Sequence, residues 1–352
     1  MRNIHASVII ATHNRPQKLS HTLSTLAQQE FAAGEYEIIV VDDGSNPPVV
    51  LEGDLENPAV VLVRVASLER SAARNRGAQV ARGELLIFID DDISVGPDFV
   101  AAHVRAQGEW PGVLAVGQIR LPGEAMTTPF GRFREKLEQH QVPRARGLTP
   151  SRNFCTAANM SISRDVFFEL GGFDGSITSG EDQDFALRHT TRGGGIAFLP
   201  EADAVHRDDA LDIRSYCRRA EWGSLHMIPF CRRYPEWPDN VERERVNGPI
   251  RLSAPISETV RKMVKLTLTL RPISSGLFSV ASLLERAAPN SRSLDRVYRL
   301  LLGIHVFRGY RKGVAISNQR SAVSDQRSAI SGQRSAVSDR PSAVRGSNAG
   351  FP

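Results

Sequence analysis

Four short runs of β-branched and apolar residues, each ending on polar or acidic groups, constrain the fold of this chain most tightly. They are ASVIIAT (6–12), YEIIVVDDGS (36–45), AVVLVRVA (59–66) and LLIFIDDD (85–92). Segments with the apolar spacing of helices lie between them. In RPQKLSHTLSTLAQQ (15–29), Leu19, Leu23 and Leu26 recur on one face. Pro16 falls in the first turn, where its missing N–H has no partner to lose. RSAARNRGAQVARG (70–83) reads as a small-residue helix closed by Gly83, and DFVAAHVRAQ (98–107) as a third helix. Strands this continuously apolar need cover on both faces. The prediction is therefore an α/β fold, a mainly parallel sheet with helices on both sides. Such sheets bind ligands beyond the carboxyl ends of their strands. Thr12, Asp42, Asp43 and Asp90 to Asp92 all stand at those ends.

The 352 residues suffice for one large or two modest cores. Residues 121–150 are broken up by Pro and Gly and give no clear element. A second block follows: TAANMSISR (156–164) as a strand, DVFFELGGFD (165–174) as a helix and turn. SGEDQDFALRHTTRG (179–193) reads as a helix capped by Ser179, and IAFLPEADAVHR (196–207) as a strand pair. Beyond 210 the pattern is helical and rich in arginine. The end repeats with a seven-residue period, SAVSDQR, SAISGQR, SAVSDRP, without the three-then-four spacing of a coiled coil. Polar low complexity of this kind predicts disorder. The units expected are 1–120 and 121–210, two halves of one domain, then a helical basic region 211–313 and the repeat tail 314–352.

Charge divides along the same lines. Residues 1–206 hold 19 Lys and Arg against 26 Asp and Glu, a net of −7. Residues 207–313 hold 20 against 11, a net of +9, and the tail adds +3. The first part suits cations and the second an anionic surface such as lipid headgroups, so 211–313 is a candidate for peripheral membrane contact. It has no nucleic-acid-binding motif. The absence of a secretory leader or membrane-spanning run, with three scattered cysteines, predicts a reducing, cytoplasmic setting at or near the inner face of the membrane.

Three adjacent aspartates at a strand end repel one another, and each raises the proton affinity of the next. A divalent cation relieves that repulsion. Asp-x-Asp offers the hard oxygen ligands that Mg2+ or Mn2+ prefers, above all when a pyrophosphate supplies further oxygens. Aspartates at a helix N-terminus are the ordinary alternative. Asp42 and Asp43 can accept from a ribose hydroxyl or a base N–H, although DDGSN is also good turn chemistry. Arg74 and Arg76, early in a helix, are placed for phosphate oxygens or simply for solvent.

Taken together, SVIIATHNRPQKLSHTLSTLAQQ, EIIVVDDGS, ARNRGAQVARGELLIFIDDD and GGFDGSITSGEDQDFALR resemble glycosyltransferase family 2, over roughly residues 5–210 and in the family's order. The resemblance implies the GT-A (Rossmann-like) fold and inverting transfer from a nucleotide-sugar, a UDP-sugar first, to a glycan or lipid-linked acceptor in cell-surface or secreted glycan synthesis. It places Thr12, Asp42, Asp43, Arg74 and Asp91 at the nucleotide. Asp90, Asp92 and His206 fall at the Mn2+ or Mg2+, although a lone strand-end His is as often structural. It makes Asp182 the base that takes the acceptor proton. Asn159 and Glu181 fall on the sugar and acceptor side. The aromatic stretch usual before the Glu-Asp pair is missing, since DGSITSGED has no Trp. A sugar-phosphate nucleotidyltransferase would share the strand-end acids but calls for a Gly-rich loop where this chain reads ATHNRP. A non-catalytic nucleotide-sugar scaffold would not need Asp43, Asp92 and Asp182 together. A dehydrogenase would need the G-x-G-x-x-G turn, which is absent.

Overall fold

The four apolar runs become neighbouring strands of one nine-stranded sheet. The computed structural model describes residues 4–51, 58–208, 212–251 and 254–338. In chain order these hold β1 (Ala6–Thr12), α1 (Pro16–Leu26), β2 (Tyr36–Asp43), β3 (Ala59–Val65), α2 (Arg70–Val80) and β4 (Leu85–Asp90). Then come β5 (Ile93–Val95), α3 (Phe99–Glu109), β6 (Leu114–Arg120), α4 (Pro129–Glu138), β7 (Gly147–Thr149) and β8 (Asn159–Ser163). After α5 (Arg164–Glu169), α6 (Glu181–Thr191) and β9 (Ile196–His206), the rest is helical. These helices are α7 (Ile213–His226), α8 (Ile228–Arg233), α9 (Pro238–Asn247), α10 (Ile256–Leu268), α11 (Arg271–Ala287) and α12 (Arg292–Ser338).

The sheet order is β3-β2-β1-β4-β8-β6-β9-β5, with β7 also on β9. Strands β3, β2, β1 and β4 are parallel; β8 enters antiparallel, and β6 and β9 restore the first direction. Alternate side chains feed two cores, as two-sided cover requires. Ile9, Ile39 and Phe88 pack on one face and Val8, Ile10, Val40 and Ile87 on the other. β3 is the edge strand, so Val61 and Leu62 of its apolar run stay exposed.

Several local expectations change. The reading of 121–150 as unassigned gives way to α4 and β7. Residues 196–206 are one continuous strand, with the register irregularity falling between Gly117 and Ile119 of its neighbour β6. Gly83 does not close α2, which ends on Ala81; it allows the chain to pass against the backbone of Ala6 and Ser7, where a Cβ would come within 2.6 Å. Gly180, not Ser179, caps α6, because the chain enters that helix at φ +87°. In the repeat, where disorder is expected, the backbone continues as helix through Ser338; 339–352 lie outside the described residues. The packed first half of α12 provides the nucleus, after which each added residue gains a bond.

The helical region is fastened to the sheet domain rather than appended to it. Phe130 and Phe133 of α4 pack with Ile213 and Cys217 of α7 and Tyr298 and Leu301 of α12. Gly309 and Gly313 let α12 lie on the backbone of α7 at Glu221 and Leu225.

Candidate active site

Register, not sequence proximity, assembles the site. β4 ends at Asp90, the chain turns through Asp91 and Asp92, and β5 starts at Ile93. Ile93 pairs with His206 at the end of β9, and Arg207 N–H donates to the Asp92 carbonyl at 2.8 Å. The imidazole Nε2 of His206 therefore sits 3.2 Å from Asp92 Oδ1. Its Nδ1 is 3.7 Å from Asp208, which is itself gripped by buried Arg134 through bonds of 2.8 and 2.7 Å.

The three aspartates coexist because each has its own partners. Asp90 accepts from Arg74 Nη2 at 2.5 Å. Asp91 accepts from Thr12 Oγ1 at 2.7 Å, and Arg15 Nη1 lies 3.2 Å from both Asp91 and Asp92. Lys18 Nζ is 3.7 Å from Asp92. These contacts split their protonation behaviour. Burial would raise the Asp90 carboxyl, but Arg74, Arg70 and His206 hold it well below the usual range. Burial likewise acts against charge on Asp92, and the His206 contact overcomes it to lower its pKa. Asp91 goes the other way: burial and its two neighbours raise it.

Arg74 is buried and also donates to Glu181 Oε1 at 2.9 Å, tying the first turn of α6 to the end of β4. Next to Glu181, Asp182 is pushed up to about 7 by burial and by the Glu181 charge. Its Oδ1 accepts from the Gln183 N–H at 2.8 Å. Arg76 bonds Gln79 on the exposed face of α2 and faces no site.

A cavity of about 810 Å³ opens over these strand ends. Thr12, Asp43, Asp90, Asp91, Asp92 and His206 line it, as expected from the sequence. Asp43 is fixed there by the Leu68 N–H at 2.5 Å. Five expected residues, Asp42, Arg74, Asn159, Glu181 and Asp182, are not in its lining. Asp42 is fully buried and its oxygens accept from Ser45 N–H, Val49 N–H and Arg64 Nε, so it holds the turn after β2. Asn159 is also fully buried, bonded to the Gln118 and Ala202 carbonyls and to His103, and stitches β8 to its neighbours. Glu181 and Asp182 are not in the wall itself, which on that side is made by Gly175, Ile177 and Thr178.

The sequence reading missed a basic and aromatic wall. Arg15, Arg70, Arg218, Arg219 and Trp222 all line the cavity. Arg15 was within reach of inspection, one residue ahead of Pro16 after a strand end. The α7 residues were not, because only the packing of α7 on α12 turns them toward the strand ends. Trp222 supplies an aromatic group that the segment before Glu181 lacks. Among the described residues no three His, Cys, Asp or Glu side chains converge as a metal cage. Of the expected trio, Asp92 and His206 are in contact, while Asp90 lines the same cavity and bonds Arg74.

Residues 7–171 match the model of Glycosyl transferase family 2. This part of the chain is a family 2 domain. The chain is 34% identical over 219 residues to validoxylamine A glucosyltransferase of Streptomyces hygroscopicus subsp. jinggangensis, covering 54% of this chain and 52% of that protein. An uncharacterized glycosyltransferase of Haemophilus influenzae is 26% identical over 182 residues, 52% of this chain and 60% of its own length. The match thus spans little more than half of either relative. A mannosyltransferase from Pyrobaculum calidifontis, in complex with GDP-Man and Mn2+, shares the fold with a TM-score of 0.55 at 16% identity, covering 89% of each chain. The family 2 domain accordingly has the GT-A architecture, followed by the helical region. No helix among the described residues is long and apolar enough to cross a membrane.

Proposed function

We propose that this protein is an inverting glycosyltransferase that moves a sugar from a nucleoside diphosphate, UDP first, to a hydroxyl of a glycan or lipid-linked acceptor. The role is synthesis of a cell-surface or secreted glycan. One observation carries the reading: in a family 2 domain, Thr12, Asp43, Asp91, Asp92 and His206 meet at the strand ends on a single cavity ringed by Arg15, Arg70, Arg218 and Arg219. The mix of charge suits a ligand with a base at one end and a diphosphate at the other. Asp43, at the end of β2, accepts from a uracil N–H. Arg15 and Arg70 are about half-exposed in the cavity wall and present guanidinium groups of the kind that bind phosphate oxygens.

The fit to a divalent cation rests on the donor set. Asp92 and His206 offer one hard oxygen and one imidazole nitrogen side by side, with room left for diphosphate oxygens. Mn2+ or Mg2+ held there would offset charge developing on the leaving diphosphate. Asp182 takes the proton from the acceptor hydroxyl, and its raised pKa matches a base working near neutrality. Arg74 donates to both Glu181 and Asp90 and so fixes the first turn of α6 on which Asp182 stands.

Calorimetric titration with UDP, dTDP, GDP and ADP, each with and without Mn2+, tests the proposal on the wild type and on Asp92→Ala. The expected result is metal-dependent binding of one nucleotide, weakened about 10-fold to 100-fold in the variant, the scale on which metal-site contacts act. No binding of any nucleotide in either condition would sink the transferase reading and leave a non-catalytic scaffold as the better account.

A further inference from the structure

α10 is mounted inside out. At about 100° per residue, Ile256, Val260, Met263, Val264, Leu266 and, just past its end, Leu270 fall on one half of the helix surface. All six are exposed, from 38% at Leu266 to 83% at Ile256. The charged side is the one that faces the protein. Lys262 is only 3% exposed; its Nζ donates to the Pro249 carbonyl at 3.1 Å and pairs with Glu258 at 3.0 Å. Lys265 Nζ reaches the Val246 carbonyl at 3.4 Å and Asn247 Oδ1 at 3.2 Å. α11 continues the pattern with Val280 and Leu283 exposed. Burying ammonium groups while leaving aliphatic side chains in water reverses the order set by the hydrophobic effect. A contiguous face of this kind marks a partner surface.

We propose that α10 is the element by which this protein lies on an anionic lipid surface. Charge selects the occupant. Residues 254–300 hold eight Lys and Arg against three Asp and Glu, a net of +5. Arg261 and Arg271 are exposed at the side and end of the apolar face. A second copy placed face to face would bring these cations against their own images, which opposes association. Anionic headgroups complement them, and the acyl boundary takes the aliphatic side chains. At 13 residues α10 is about 20 Å long, so it rests in the interface and does not span it.

The test is co-sedimentation of the full chain with vesicles of phosphatidylcholine alone and of phosphatidylcholine with one third phosphatidylglycerol. The full chain is expected to sediment with the anionic vesicles and about tenfold more weakly with the neutral ones. Val260→Glu with Val264→Glu should lower anionic-vesicle binding about tenfold or more, with unchanged thermal melting and nucleotide binding, because both side chains are exposed. Arg261→Ser with Arg271→Ser keeps the apolar face and should lose about tenfold on anionic vesicles while leaving neutral ones unchanged. A chain that stays in solution with both vesicles, or glutamate variants that bind as the wild type does, overturns the proposal. Self-association in sedimentation velocity that the glutamates abolish, without lipid binding, overturns it in favour of a second copy.

Discussion

Burial and the Glu181 charge both penalise ionisation of the Asp182 carboxyl and push its pKa up to about 7. A base must be ionised to act, so kcat/KM should climb with pH and level off above about 7. Asp182→Asn should lose about 10²-fold to 10⁴-fold in kcat with nucleotide affinity retained. Stability runs opposite to activity here. The folded-state pKa is raised, so the contribution of Asp182 to stability is complete below its unfolded pKa and gone once pH has risen through about 7. Asp182→Asn should therefore melt higher than the wild type at pH 8, and the gap should close toward pH 4. An unchanged rate profile in the variant would assign the base elsewhere. At this scale the sequence was legible where a strand ended in unmatched charge, as at Asp43 and Asp92. Asp42 carries the same carboxylate and Asn159 a polar amide, but a turn and a strand stitch hold them, and only the partner atoms reveal it.

The element that presents Asp182 depends on its first residue. Gly180 enters α6 at φ +87°, and a Cβ there would meet Met227 Sδ at 2.6 Å. An L side chain meets both backbone strain and a side chain that must move. Gly180→Ala should cost about 1–3 kcal/mol, read as a lower midpoint in thermal melting. It should also lower turnover, because Glu181 and Asp182 form the turn that shifts. A wild-type midpoint would mean that this entry into α6 relaxes at no cost. Ser179 looked like the cap because its residue type is right; the left-handed backbone that decides the matter leaves its mark only as a glycine. Parallel strands announce themselves as long apolar runs, so β1, β2 and β4 were readable. β5 and β7, three residues each, carry too little pattern, yet β5 is what brings His206 to Asp92.

On the scale of the whole molecule, the acidic sheet domain and the basic helices form one site. The charge division was visible in the sequence, but it pointed outward, toward a separate partner for each part. Part of the basic region also points inward: α7 turns Arg218, Arg219 and Trp222 onto the cavity while its other side rests on α12. Glu221 of α7 meets His305 at 2.8 Å and Lys312 at 2.5 Å, and Ile304, Phe307 and Tyr310 of α12 are buried. The position of the basic wall is therefore set by residues about 80 positions further along the chain, a long-range dependence that local pattern does not carry. Two truncations separate the packed half of α12 from the repeat. Removing residues 320–352 should leave thermal melting and nucleotide binding as in the full chain, because the contacts to α7 among the described side chains come from Val306, His305, Gly309, Lys312 and Gly313. Removing 304–352 takes away Phe307, Tyr310 and the close approach at Gly309 and Gly313, and exposes the apolar side of α7. Each large buried side chain lost contributes about 1.5–3 kcal/mol, so the second truncation should melt well below the first and bind nucleotide weakly or not at all. Equal melting of the two truncated forms would show that α7 holds its place on the sheet domain alone, through Phe130 and Phe133, and that α12 has no part in shaping the cavity.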